Sequence, residues 1–315
     1  MDDILDEIKP VKRSHKIVLG IFVSNVFALI TLGLTTYFLE KVKNDVEGVL
    51  IFSQFVIIPL VMGIITARFW RDIGLLGRNY TGYSLVNGAF ALLMSSVFLG
   101  EGFICLIIVS PLVFAFIIAG AFIGRAMFRK QNNTLNTSII SVLLIIFIAD
   151  SVSQHHYENV VSDEMIINAL PSEVWEHVVA YERIKEENKY WLFKIGMPSP
   201  VETTVDGKFE GAGRKCIFSN GYVFDEKMVI YQPGKNLTFD ITHQPLDPEI
   251  MGHIDILKGQ FLLKDNGNGT TTLTGNSWYR LYVFPAWYYD IWAKSITRNV
   301  HLRVMEHIKE LSEAK

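Results

Sequence analysis

Residues 143–160 read LLIIFIADSVSQHHYENV, and the chain changes character inside them. Seven apolar residues run into Asp150, and a polar, histidine-bearing segment follows. Upstream, long apolar runs dominate. Downstream, strand and turn patterns take over. The 315 residues therefore divide into an apolar half and a mixed half, within a chain that is 50% hydrophobic and 19% charged. Residues 1–150 carry 12 Lys and Arg against 10 Asp and Glu, and the remainder carries 17 against 22. Neither half has the basic excess that nucleic-acid binding requires. Two cysteines, Cys105 and Cys216, are too few for a disulfide framework or a zinc spacing.

A bilayer core about 30 Å thick takes about 20 apolar residues to cross as a helix. Charge-free runs cover 17–39, 48–67, 84–100 and 103–124, and each predicts a membrane helix. Glu101 and Gly102 between the last two read as a tight turn at the membrane surface. A fifth run, over 137–150, reaches spanning length only with interfacial residues at its ends; the alternative is an interfacial helix. The first 16 residues are mixed in charge and lead into an apolar run too long for a cleaved signal.

Lys and Arg in short loops set orientation. The N-terminal tail and the loops over 68–83 and 125–137 hold ten, while the alternate loops hold two, Lys41 and Lys43. This predicts a cytoplasmic N-terminus and, after five crossings, a C-terminal domain outside the cytoplasm, periplasmic in a bacterium. No ionisable residue interrupts the four long runs, so transport is not indicated. Asn25, Gln54 and Asn87 read as bonds between helices. GAFIG at 120–124 matches the small-residue pattern for close helix contact, and Pro59 and Pro111 are candidate kinks.

Beyond residue 158 the pattern alternates. A strand over 160–169 leads to a helix opened by Pro171, and a second short helix is predicted over 182–193. Six strands follow, over 201–205, 213–219, 222–231, 237–243, 253–263 and 271–283. Their turns include DNGNG at 265–269, whose residues tolerate positive φ. A helix over 286–313 repeats Tyr289, Trp292, Ile296, Val300, Val304, Ile308 and Leu311 at intervals of three and four, one apolar face. A sheet of this length must bury one face, and that helix is the cover available.

This order resembles the helix-grip fold of the START/Bet-v-like (SRPBCC) superfamily, which includes polyketide cyclase/dehydrase and lipid-transport proteins. The resemblance rests on INALPSEVWEHVV at 167–179, YQPGKNLTFD at 231–240 and the terminal segment 278–311 ending HLRVMEHIKEL. It spans residues 158–313 and leaves the membrane half, residues 1–150, without a counterpart. The expected fold class is thus a membrane all-α half of four or five helices joined to an α+β helix-grip domain. The resemblance implies a hydrophobic cavity between sheet and helix, and it supplies no catalytic motif.

Candidate cavity residues come from alternation and the helical wheel. Tyr222, Phe224, Glu226 and Met228 share one strand face. Glu226 is the polar exception there: a carboxylate in the cavity, a buried ion pair, or a residue turned out by a bulge. Trp278, Arg280 and Tyr282 share a face of the last strand. Trp292, Ile296, Asn299, Arg303 and His307 lie on or beside the apolar face of the long helix. Buried, Arg303 needs an anion, either a protein carboxylate such as Glu226 or Asp240 or the head of a ligand. Trp287, Tyr288, Tyr289 and Trp292 read as core, cavity mouth or membrane-surface belt. Metal, cofactor and nucleophilic chemistry find no spacing that supports them, and Cys216 reads as core. The leading expectation is a membrane-anchored protein binding a lipid or other hydrophobic small molecule. A cyclase or dehydratase using Glu226, Arg303 or His307 is the enzymatic alternative, and a docking module without ligand is the third.

Overall fold

A computed structural model of the chain describes residues 2–42, 52–100, 102–129, 133–151, 156–245 and 253–314. The sequence expectations for residues 43–51, 101, 130–132 and 152–155, the Glu101 turn among them, lie outside the described residues. The chain forms two compact units, Met1–His155 and His156–Lys315.

The first unit is helical: α1 (Asp2–Val42), a π-helical turn (Ser53–Ile57) running into α2 (Ile58–Trp70), α3 (Gly77–Leu99), α4 (Phe103–Arg129) and α5 (Asn133–Ser151). Four stretches, Arg13–Thr35, Ser53–Trp70, Gly77–Phe98 and Phe103–Phe128, are long and apolar enough to cross a membrane, while the apolar part of α5, Thr137–Asp150, is shorter. Helix α3 starts seven residues before its charge-free run, because helical hydrogen bonds need no apolar side chain.

Glycines set the α2–α4 contact. A Cβ on Gly120 would strike the Leu60 carbonyl, one on Gly63 the Ile117 carbonyl, and one on Gly124 would sit 2.7 Å from the Ala67 Cβ. The backbones approach because those side chains are missing. Polar groups tie α1 to α3: Asn25 Nδ2 donates to Asn87 Oδ1 at 2.7 Å and Ser24 Oγ to the same oxygen at 3.2 Å.

The two ends of the bundle differ. Lys16 lies 3.5 Å from Asp72, the Trp70 indole donates to the Ile17 carbonyl, and Arg125 sits 4.9 Å over the Tyr80 ring. The cations Lys16, Arg68, Arg71 and Arg125 thus gather where α2 and α4 end and α3 begins. At the start of α2, the Ser53 N–H donates to Asp150 Oδ2 at 2.7 Å. Helix α5 begins at Asn133, shortly after Arg129 at the basic end, and finishes beside Ser53 in the π-helical turn. Its 19 residues, at about 1.5 Å each, reach about 28 Å.

The second unit has seven antiparallel strands: β1 (Tyr157–Ile167), β2 (Pro200–Val205), β3 (Gly213–Phe218), β4 (Val223–Gln232), β5 (Asn236–His243), β6 (Ile254–Asp265) and β7 (Thr271–Leu281). Their order is β1-β7-β6-β5-β4-β3-β2, so the first strand pairs with the last. The β6–β7 turn carries Gly267 and Gly269 at φ near +76° and +79°, the left-handed region that glycine enters without strain. Helices α6 (Pro171–Val179) and α8 (Ala286–Glu313) cover the sheet. Curved antiparallel sheet and long terminal helix together fit a helix-grip fold. One core cluster includes Ile167, Trp175, Leu237, Leu273, Met305 and Ile308.

The second short helix is smaller than its sequence predicts. Only Trp191–Lys194 is helical, as α7, and residues 180–190 run as irregular chain. Its helix-forming Glu and Lys residues yield to tertiary contacts: the Ile184 N–H bonds the Val201 carbonyl and the Thr203 N–H the Tyr181 carbonyl.

Substituting Gly120→Leu should cost about 1–3 kcal/mol of stability through overpacking. Gly33→Leu, at a position with open space around it, should leave thermal unfolding in detergent nearly unchanged. Equal effects would contradict the close α2–α4 contact.

Candidate functional site

Side chains do not fill the space between sheet and α8. A pocket of about 200 Å³ lies there, bounded by β3 to β7, α8 and the chain around Met197. Its walls are mainly carbon: Phe218, Phe224, Phe239, Phe261, Ile241 and Ile256 from the sheet, with Ile296, Val300 and Val304 from α8. Gly259 contributes by absence, since a Cβ there would strike the Phe239 ring.

Gln260, Asn276 and Thr297 also reach the wall, and two linked clusters of charged and polar side chains interrupt the carbon. Arg214 and Glu226 face each other across the β3–β4 ladder and form a buried, hydrogen-bonded ion pair. Arg214 also donates through Nε to the Val179 carbonyl at 3.3 Å and lies 4.4 Å over the Phe239 ring. Burial holds the Glu226 carboxyl above its ordinary value, with Arg214 opposing the rise. Burial also pulls on the guanidinium, but the carboxylate beside it holds Arg214 above its ordinary value, and we assign the pair as ionised. Burial, with Glu226 nearby, drives the Cys216 thiol to about 12, so it is a neutral wall group and no nucleophile.

The second group joins three elements. His301, on α8, places Nδ1 2.9 Å from Asp163 Oδ2 on β1 and Nε2 2.7 Å from Ser277 Oγ on β7. Arg298 Nε lies 3.2 Å from the other Asp163 oxygen. Register explains the meeting, because Asp163 pairs with Gly275 and Val161 with Ser277. Gly275 leaves room for Met305 beside it: a Cβ there would lie 3.1 Å from the Met305 Sδ and in ordinary contact with the His301 ring at 3.8 Å. Ser277 and His301 both line the pocket.

Of the residues that the sequence singles out, Tyr222, Phe224, Glu226 and Ile296 line this pocket. Met228 is fully buried in the core cluster. Trp278 and Arg280 lie on the other sheet face, where Lys258 sits 6.0 Å over the Trp278 ring and Arg280 pairs with Glu158 at 2.6 Å. Tyr282, past the end of β7, donates to Asp255 at 2.8 Å. Trp292 stacks edge-on against Trp191, and Asn299 is buried outside the pocket wall.

Arg303 pairs with neither Glu226 nor Asp240. It donates to the carbonyls of Pro200 at 3.1 Å and Glu186 at 3.4 Å, and burial lowers its pKa. His307 Nε2 lies 3.0 Å from the Glu182 carbonyl. Both residues hold the 180–200 segment on a different side of α8 from the pocket. There Glu186, His307 and Glu310 bring one ligand-type atom each within 4.8 Å of one another, a grouping that helix spacing does not reveal. Lys189, 3.9 Å from Glu310, already supplies a cation to it.

Sequence reasoning missed Arg214, Ser277, His301 and Asp163. Asp163 carried a signal, as an acid in phase with Val161, Met165 and Ile167. Arg214 shares its parity with Cys216 and Phe218, yet only the strand register shows it opposite Glu226.

Removing one partner of the ion pair, by Arg214→Met or Glu226→Leu, should destabilise the chain by about 3–5 kcal/mol, while the double replacement stays near wild type. Denaturant unfolding followed by tryptophan fluorescence measures both. In the folded chain, Cys216 should resist iodoacetamide at pH 8 while a free thiol is fully alkylated.

No family model matches the chain, and no curated protein does. Among solved structures, norcoclaurine synthase from Thalictrum flavum is 12% identical with a TM-score of 0.36, covering 52% of this chain and 100% of its own. An uncharacterised protein from Bacillus thuringiensis is also 12% identical, with a TM-score of 0.34 over 50% of this chain and 100% of its own. A protein from Mesorhizobium loti is 16% identical, with a TM-score of 0.31 over 49% of this chain and 96% of its own. At these values, nothing those proteins bind or make transfers to this chain.

Proposed function

We propose that this is a membrane-anchored binding protein whose C-terminal domain holds a hydrophobic small molecule in the pocket between sheet and α8. The pocket itself carries the reading. Ion pairing largely neutralises its one pair of charges, leaving aromatic and aliphatic carbon as the contact surface. Sites for small molecules are concave and mostly apolar, with a few placed polar groups. An apolar cavity of about 150 Å³ can take up benzene. The pocket here, about 200 Å³, suits one ring or a short acyl chain, and a longer lipid tail would extend beyond it.

Anchoring rests on the four long apolar helices. For α5, side-chain exposure favours a fifth crossing over an interfacial position: Ile140, Val142, Leu144, Ile145 and Ile148 are all more than half exposed and spread over an arc of about 200°. An interfacial helix would show a polar face instead. With the basic end of the bundle in the cytoplasm, five crossings put the binding domain on the other side.

Octanoate titrated into the detergent-purified, delipidated chain should bind with one site, and Val300→Trp, which fills the pocket, should weaken it by about tenfold or more, ~1.4 kcal/mol. Wild-type protein that takes up neither octanoate nor a single-ring apolar probe would sink the reading. For topology, Asn268→Cys on the exposed β6–β7 turn should react with a membrane-impermeant maleimide in intact cells. Reaction only after lysis would place the domain inside.

A further inference from the structure

Ser277, His301 and Asp163 form a chain of hydrogen bonds that ends in the pocket, and ligand binding alone does not require it. We propose that they form a serine nucleophile relay that transfers the acyl group of a carboxylic ester with a short apolar acyl chain to water. This inference rests on the reading of the pocket as a ligand site.

The chemistry follows from which atoms meet. A carboxylate only accepts hydrogen bonds, so Asp163 Oδ2, 2.9 Å from Nδ1, fixes the imidazole proton on Nδ1. Nε2 of the neutral ring is then the free base, and it lies 2.7 Å from Ser277 Oγ, within range to take the hydroxyl proton. Arg298 holds the second Asp163 oxygen, so the carboxylate is oriented from both sides. His301 and Asp163 are both buried, so their geometry is set by packing. Ser277 pairs with Gly259 in the β6–β7 register and lines the pocket. The arrangement has the nucleophile, base and orienting-acid logic that recurs on unrelated folds.

In the first step, Ser277 Oγ bonds to the acyl carbon and its proton passes to Nε2. The bond to the alkoxy group then breaks, and that oxygen leaves as the alcohol with the proton from Nε2. Water next attacks the acyl carbon and gives a proton to Nε2. The Oγ–acyl bond breaks, the proton returns to Ser277, and the carboxylic acid departs. Ester and water become acid and alcohol, and the protein is unchanged. Ser277 and His301 are the catalytic residues; Asp163 is a positioning residue.

The test uses the full chain in detergent. An octyl fluorophosphonate should add one phosphonyl group with loss of fluoride, mapping to the peptide that contains Ser277, and octanoate should block it. Ser277→Ala should take no label while unfolding at the wild-type temperature. His301→Gln should slow labelling, and Asp163→Asn should lower kcat for 4-nitrophenyl hexanoate, each by roughly 100-fold or more. In Asp163→Asn, KM should stay as in wild type, whereas a purely structural contact would lower thermal stability and binding together. Wild type that binds octanoate yet takes no label overturns the relay and leaves the binding reading intact. Label retained in Ser277→Ala overturns it as well. Failure of wild type to bind octanoate or any single-ring probe removes both.

Discussion

One helix is too narrow to cover this sheet. Seven strands at about 4.8 Å spacing span about 29 Å between outer strands, while a helix with its side chains is about 10–12 Å across. Helix α8 therefore packs tightly only where other elements help it. On one side α6 brings Trp175 and Val178 against Met305 and Ile308, and the core closes. On the other, nothing of comparable bulk among the described residues lies between α8 and strands β3 to β6, and the pocket is the remainder. Polar anchors then fix how far the helix can sink. Near its start Asp290 receives hydrogen bonds from Asn159 and Tyr279, and at mid-length His301 joins Asp163 and Ser277. These directional contacts keep α8 at one height above the sheet, so the space below it does not collapse.

The same constraint explains the mixed character of the pocket. Side chains on the inner sheet face must be apolar where they meet the core, and Phe239, Phe261 and Leu273 obey this. The charged residues there come with partners. Arg214 and Glu226 come as a cross-strand pair, and Asp163 is satisfied by His301 and Arg298. Buried charge in this domain is thus compensated by a facing group, as the cost of burying an isolated ion demands.

Much of the fold was legible in the sequence because it rests on local periodicity. The apolar runs, the alternating strands, the DNGNG turn and the long amphipathic helix each announce themselves within a few residues. Glu226 stood out as a polar residue among apolar neighbours. What was hidden depends on register. Arg214 reads as one residue of an ordinary strand until the β3–β4 ladder sets it opposite Glu226. Arg303 and His307 fall on the apolar arc of α8, but the wheel does not say which neighbour each arc faces. The 182–193 segment has helix-forming composition and loses most of its helix to contacts with β2. In the helical unit, GAFIG carried a signal that only the approach of Leu60 and Ala67 makes decisive.

Arg303 and His307 reach out from α8 to the carbonyl oxygens of Pro200, Glu182 and Glu186. Every amino acid offers that same oxygen, whatever its side chain. The path of the segment from Glu182 to Pro200 is therefore shared between the helix that clasps it and its own buried anchors, Ile184, Leu192 and Phe193. Substitutions at the exposed positions between those anchors can leave its course unchanged, provided the two basic residues on the helix stay in place.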